Sequence, residues 1–300
     1  MPEERADATG RPPGGGPAVV VVGSANIDLI ATVRAAPAPG ETVLASRYAE
    51  EVGGKGLNQA VAAAGSVPTA LVAAVGDDPE GARVRRHAED RGVDVGEVRG
   101  TAARTGRALI SLFDQDNTIV VAPLANALLT AEAVTDALRR LEPAAVLVQF
   151  EIPEEAVLAA AAWCRSSGAR LLLNPSPVRP VPDEVLALAD PLVVNLGEAA
   201  ALAGPSAPVG EARGLARALA PRVRSVVVTA GPAGAFLVDA DGAGHVPVTE
   251  RGEVADSSGA GDAFAGCLAA GLATGAGLTA AVRGAVAAAS RTVATRRELR

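Results

Sequence analysis

Two glycine-rich segments of this 300-residue chain hold the residues with most chemistry to offer. The first is Gly53-Gly54-Lys55-Gly56-Leu57-Asn58-Gln59-Ala60. Its glycines precede a helix start, where backbone N–H groups can approach a ligand and the helix N-terminus faces it. It is not a Walker-type phosphate loop: the glycine that pattern needs falls on Ala49, and Gly56 stands where Ser or Thr follows the lysine. Lys55 is the only lysine among 27 basic residues. Where nearly every basic position has become arginine, a surviving lysine marks a place an arginine fork does not fit. The plainer alternative is a glycine-rich turn with an incidental lysine.

The second segment is Asp256-Ser257-Ser258-Gly259-Ala260-Gly261-Asp262-Ala263-Phe264-Ala265-Gly266. Gly259-Ala260-Gly261 leads into a helix whose first turn presents free N–H groups, an anion hole of the size a phosphate needs. Asp262 falls inside that turn, where the helix dipole favours its ionised form beside a bound phosphoryl group. A carboxylate so placed suits a base that takes the proton of an attacking hydroxyl. An acidic residue capping a helix is the alternative.

Three further places carry weaker signals. Asn26 and Asp28 follow the first apolar run and offer an amide and a carboxylate to a polyhydroxylated ligand, or else an Asx turn. Asn195 and Glu198 have the spacing of a capping box. Thr229-Ala230-Gly231-Pro232-Ala233-Gly234 joins two apolar runs, as a nucleotide cradle or an ordinary turn. His87 and His245 have no ligand-spaced neighbours, which argues against zinc, and no nucleophile elbow occurs.

The elements around these segments give the fold class. Apolar runs at 18–23, 70–75, 144–150, 170–173, 191–194 and 225–229 read as buried strands. Alanine-rich helical stretches lie between most of them, at 56–65, 79–91, 130–141, 153–167 and 210–221. That alternation predicts an α/β body with a mostly parallel sheet covered on both faces. Segments 27–51 and 105–121 break the rhythm; the second reads as a hairpin turning at Asp114-Gln115-Asp116-Asn117. Together they predict a small inserted β-sheet lid over the strand ends where ligands bind in such folds. Residues from Ala260 to about Thr295 read as two helices parted near Gly275-Ala276-Gly277.

Composition excludes several classes. Hydrophobic residues are 49% and charged residues 20%, which a disordered chain cannot match. The net charge of −7, with no basic block, is unsuited to nucleic acid or an anionic membrane surface. Aromatic residues are 2%, so the core must be aliphatic. Two cysteines, Cys164 and Cys267, fit a reducing cytoplasm rather than a disulfide framework. Residues 1–17, acidic and then rich in Pro and Gly, read as a disordered tail rather than a targeting signal, leaving 18–300 as one domain.

Taken together the motifs resemble those of the ribokinase-like (PfkB) carbohydrate kinases, from about Ala18 to about Thr295. Both glycine-rich segments match the family signatures. Pro39-Gly40-Glu41-Thr42, Gly76-Asp77-Asp78, Asn174-Pro175-Ser176-Pro177 and Asn195-x-x-Glu198 follow in order and spacing. The resemblance implies a three-layer α/β/α body with a β-sheet lid that often forms a homodimer contact. It implies magnesium- and ATP-dependent transfer to the primary (5-) hydroxyl of a sugar such as D-ribose. By position, Asn26, Asp28, Gly54, Lys55, Asn58 and Glu151 would bind the sugar, with Asp262 the base and Gly259, Ala260 and Gly261 the anion hole. Asn195, Thr229, Gly231, Gly234 and Gly261 would hold ATP, and Glu198 would act on magnesium through water. Asp256 and Ser258 would supply half of a potassium site whose other half is not found in Thr295–Arg300. A further departure is Leu124-Ala125-Asn126, where the family pattern has Gly-Ala-Asn. Two alternatives stand beside this expectation: another sugar or nucleoside kinase of the same fold, for example on deoxyribose, and a sugar- or nucleotide-binding regulator without turnover.

Overall fold

The structure, a computed structural model, describes residues 16–113, 116–205, 210–249 and 258–295. The tail expected over 1–17 therefore lies outside the described residues except for Gly16 and Pro17.

In chain order the first half contains β1 (Val19–Val22), β2 (Asn26–Thr32), β3 (Arg47–Gly53), α1 (Lys55–Ala64), β4 (Thr69–Gly76) and α2 (Pro79–Glu89). There follow β5 (Val93–Asp94), β6 (Val98–Thr101), β7 (Gly106–Phe113), β8 (Asp116–Ala122), α3 (Ala131–Leu141) and β9 (Ala145–Gln149). The second half continues with α4 (Glu154–Ser167), β10 (Arg170–Asn174), α5 (Asp183–Leu186), β11 (Ala189–Asn195), α6 (Leu196–Ala203) and α7 (Ala212–Leu219). It closes with β12 (Val226–Thr229), β13 (Ala235–Asp239), β14 (Gly242–Val246), α8 (Ala260–Ala273) and α9 (Leu278–Ala294).

The main sheet runs β14-β13-β12-β11-β10-β9-β1-β4-β5, with β6 also on β4. It is parallel from β12 to β5 and antiparallel at β12-β13-β14. β1, inside the sheet between β9 and β4, is four consecutive valines, all buried. No polar alternation is possible there because both faces are covered. Val19 and Val21 pack into one core with α1, α2, α8 and α9; Val20 and Val22 pack into the other with α3, α4 and α7. The period of two thus sorts one strand between two helical layers. Alanine at the contacts lets the helices approach closely.

A separate four-stranded sheet, β3-β2-β7-β8, forms the lid from the two segments that broke the helical rhythm. Two details differ from expectation. Asp116 and Asn117 belong to β8, paired with Phe113 and Leu112, rather than to the turn; Asp114 and Gln115 lie outside the described residues. The β13-β14 hairpin was hidden by the glycines of Gly242-Ala243-Gly244, which carry no strand pattern. The lid is tied to the body beside α2. Asp78 caps that helix through Gly81 N (2.7 Å) and also accepts from the N–H and hydroxyl of Thr105, just before β7. Arg107 on β7 pairs with Glu80 at 2.9 Å.

Candidate active site

The segment leaving β1 and the residues after β9 meet the starts of α1 and α8 at the C-terminal edge of the parallel strands, beneath the lid. Between them lies a cavity of about 850 Å³. Asn26 and Asp28 reach it from β2, Gly54, Lys55 and Asn58 from the start of α1, and Glu151 from beyond β9. Ser258, Gly259 and Asp262 complete the opposite wall. Residues up to 236 positions apart in sequence are thereby brought together by topology alone.

Glycine is required where backbones crowd this wall. Gly54 has φ +96°, and a Cβ there would lie 2.9 Å from Ala25 Cα and Asn26 N. A side chain would push α1 off the segment that carries Asn26. Gly259, at φ +73°, turns the chain into α8. The first intrahelical bond of α8 runs from Ala263 N to Gly259 O, so the N–H groups of Ala260, Gly261 and Asp262 precede the ladder.

Glu151 is gripped through one oxygen: its Oε2 accepts from Ser24 Oγ at 2.6 Å, Lys55 N at 3.2 Å and Asn26 Nδ2 at 3.5 Å. Asn126, wholly buried, donates to Asn26 Oδ1 (2.7 Å) and Ala25 O, and accepts from Ala25 N. It thus fixes which atoms Asn26 turns to the cavity. Asn126 rides on a turn in which Leu124 holds φ +47°, a conformation that favours glycine.

Asp262 is buried at the third position of α8. Its Oδ2 accepts from Asn58 Nδ2 at 3.2 Å, and its Oδ1 from Gln59 Nε2 at 3.0 Å. Burial pushes its carboxyl above the ordinary range, aided by Glu151; Lys55 and the two amides oppose without reversing it. Lys55 shows the converse. Burial alone lowers its ammonium, but Asp262, Glu151, Glu198 and Asp28 together hold it above its ordinary value. Around Lys55 the cavity is acidic, while Arg83, Arg86 and Arg91 line another part of it.

Apart from Gly261, in the first turn of α8, the residues expected on the nucleotide lie outside the cavity lining, at the ends of neighbouring strands. Asn195 and Thr229 are register partners at the ends of β11 and β12. Asn195 and Glu198 form a reciprocal capping box, both bonds at 2.9 Å. Gly231 and Gly234 hold positive φ, and Ala230 N bonds to Gly234 O. Asp256 lies outside the described residues. Ser24, Gln59, Asn126 and Asn174 carry site geometry that residue-by-residue reading did not assign. Gln59, Asn126 and Asn174 lie inside segments that match family patterns, yet those patterns gave them no role in the site.

The profile described as pfkB family carbohydrate kinase matches residues 17–297. The chain is similar to the ribokinase of Bacillus subtilis, 36% identical over 92% of this chain and 92% of that one. It is also similar to the deoxyribokinase of Salmonella typhimurium, 33% identical over 84% of each chain. The structure of Arabidopsis thaliana ribokinase complexed with ribose and ATP matches with TM-score 0.82 and 29% identity, covering 93% of each chain.

Proposed function

This chain belongs to the pfkB family of carbohydrate kinases, and we propose that it transfers the γ-phosphoryl group of ATP to the 5-hydroxyl of D-ribose, giving ribose 5-phosphate and ADP. The placement of Asp262 carries this reading. A buried carboxylate, held by two amides, stands on the cavity wall beside helix N–H groups outside the ladder. The ribokinase relatives supply the sugar.

Asn26, Asp28, Gly54, Lys55, Asn58 and Glu151 bind the sugar hydroxyls, and Asp262 accepts the proton of the attacking one. Gly259, Ala260 and Gly261 receive the transferred phosphoryl oxygens at the α8 N-terminus. Asn195, Thr229, Gly231, Gly234 and Gly261 hold the nucleotide. A hydroxyl competes with water for ATP, so the lid over the cavity serves to exclude that water.

Among the described residues no group of three or more His, Cys, Asp or Glu could cage a metal. Magnesium travels with nucleotide phosphates and needs only one or two protein carboxylates. The acidic surplus around Lys55 fits such an ion, and Glu198, half-buried at the nucleotide side, would hold it through water. When bound, magnesium neutralises charge on the phosphates. Ser258 on the cavity wall and Asp256 are the side chains assigned to potassium.

We place the chain as a cytoplasmic homodimer joined through the lid. Leu109 and Val120, 52% and 65% exposed, are register partners on the lid face turned from the cavity, with Tyr48 (59%) nearby. Sedimentation at micromolar concentration reads a dimer, and Leu109→Asp converts it to monomer; a monomeric parent refutes the contact.

The deciding experiment is coupled ADP release with ATP and magnesium against D-ribose, 2-deoxyribose, other sugars and nucleosides, with and without potassium. Ribose-selective turnover supports the reading. Faster turnover on 2-deoxyribose favours the second reading, which the deoxyribokinase relative supports. Ligand binding without turnover points to a regulator.

A further inference from the structure

Asp262 stands at the end of a chain of amides whose direction is set from the opposite end. Val193, within β11, presents a carbonyl oxygen that can only accept, and Asn174 Nδ2 donates to it at 3.0 Å. Asn174 Oδ1 must then face away, onto Gln59 Nε2 at 3.1 Å. The remaining N–H of that nitrogen donates to Asp262 Oδ1 at 3.0 Å. Turning Gln59 over would set its oxygen against both Asn174 Oδ1 and Asp262 Oδ1, and turning Asn174 over would set oxygen against the Val193 carbonyl and N–H against the N–H of Gln59. Gln59 is wholly buried, and its Oε1 has no partner among the described residues. An amide oriented for its own satisfaction would not leave a buried acceptor unmatched, so the donor side governs its orientation.

We infer that Gln59 and Asn174 form a one-way hydrogen-bond relay that fixes the carboxylate plane of Asp262, with Oδ1 turned into the protein and Oδ2 turned to the cavity as the proton-accepting oxygen. The inference rests on the reading of Asp262 as the base. Oδ2 spends one lone pair on Asn58, on the cavity wall, and keeps the other for the substrate. In the step itself the sugar O–H bond breaks and its proton goes to Oδ2. The hydroxyl oxygen forms the new bond to the γ-phosphorus, and the P–O bond to ADP breaks with its electron pair left on ADP. Gln59 and Asn174 are positioning residues, since neither meets the sugar or the nucleotide in this scheme.

The test compares Gln59→Met, Asn174→Leu, their double variant and Asp262→Asn with the parent enzyme. Rates of ADP release with D-ribose are read across pH, and folding is checked by thermal melting. Gln59→Met keeps the side-chain length and removes both donors. It should lower kcat by about 10- to 100-fold, with the KM for sugar within about twofold. The acid limb of its kcat/KM profile should move to higher pH, because the lost donor favoured the ionised carboxylate. The charged groups facing Asp262 are Lys55 and Glu151, with Asp28 and Glu198 acting on Lys55, and none of them is altered. Asn174→Leu should shift rate and limb the same way by less. The double variant should be no worse than Gln59→Met, since both act on one chain. An inactive Asp262→Asn beside a Gln59→Met with parental kcat and acid limb overturns the relay, as do additive losses in the double variant. Should Gln59→Met fail to melt as a folded protein, a parental acid limb in Asn174→Leu overturns it alone. An Asp262→Asn that retains full turnover overturns the base assignment instead.

Discussion

Alanine at position 266 should damage catalysis from the far side of Asp262, the proposed base. Gly266 lies on α8 where that helix crosses α1, and a Cβ there would fall 2.7 Å from Ala62 Cβ and inside contact distance of the Gln59 carbonyl oxygen. Ordinary carbon contacts need about 3.5–4.0 Å, so the helices must part locally by about 1 Å. The bonds from Gln59 and Asn58 to Asp262 start at 3.0 and 3.2 Å and cross this same interface. Lengthened by that amount they reach about 4 Å and are no longer hydrogen bonds. Overpacking of this kind costs about 1–3 kcal/mol of stability, and a 1 Å misplacement of a catalytic group costs about 100-fold in rate. Coupled ADP release and thermal melting of Gly266→Ala should therefore show kcat reduced by about 100-fold and a melting point lower by several degrees. The KM for sugar should change much less. Gly284→Ala is the control: nothing lies within 4 Å of its Cβ, and the helix should gain about 0.5–1 kcal/mol. A Gly266→Ala enzyme with parental kcat, whatever its melting point, would refute the claim that α1 and α8 jointly hold the base.

Other outcomes follow from the same geometry. Asp262→Asn should lower kcat by about 10²–10⁴-fold while titration calorimetry still detects sugar binding. Because burial raises Asp262 above the ordinary 3.8, turnover should fall as pH drops through that raised pKa. The same group should weaken the fold as pH rises from 3.8 to that value, a component of the melting curve absent from Asp262→Asn. His87 is held down to about 4 by burial, Arg91 and Arg83. Its contribution to stability should be complete above about 6.5 and lost as pH falls towards 4, and His87→Gln should flatten that part of the melting-point profile. Leu124→Gly relieves about 1–2 kcal/mol of left-handed strain against about 0.5–1 kcal/mol of added chain entropy, so it should melt slightly higher than the parent.

What could be read in advance was local chemistry. The strands of β1 and β4 announce themselves because burial on both faces leaves uninterrupted apolar runs. Gly54 and Gly259 are legible because tight turns into helices demand glycine, and Lys55 because its residue type is unique in the chain. The relay was not legible. Gln59 and Asn174 are 115 positions apart, and an Asn before a proline carries no mark of a partner across the sheet. Asn126 was noted only for the residue two places before it, yet the structure makes it the clamp on Asn26. The ends of β8 were misjudged because Asp116 and Asn117 are turn formers by type, and pairing with β7 overrides that preference.

The solitude of Lys55 has a chemical consequence. An amine-directed reagent, whether an active ester, an acyl donor or an aldehyde, finds one side-chain target in the whole sequence, and that target is half-buried in the cavity among four carboxylates. The carboxylates keep the ammonium protonated, so its free amine is scarce and labelling is slow near neutral pH. Acylation of this chain, apart from its terminal amine, is therefore inseparable from occupation of the cavity. If the cavity binds sugar as proposed, the sugar shields the ε-amine, and the rate of lysine labelling becomes a direct gauge of how full the cavity is.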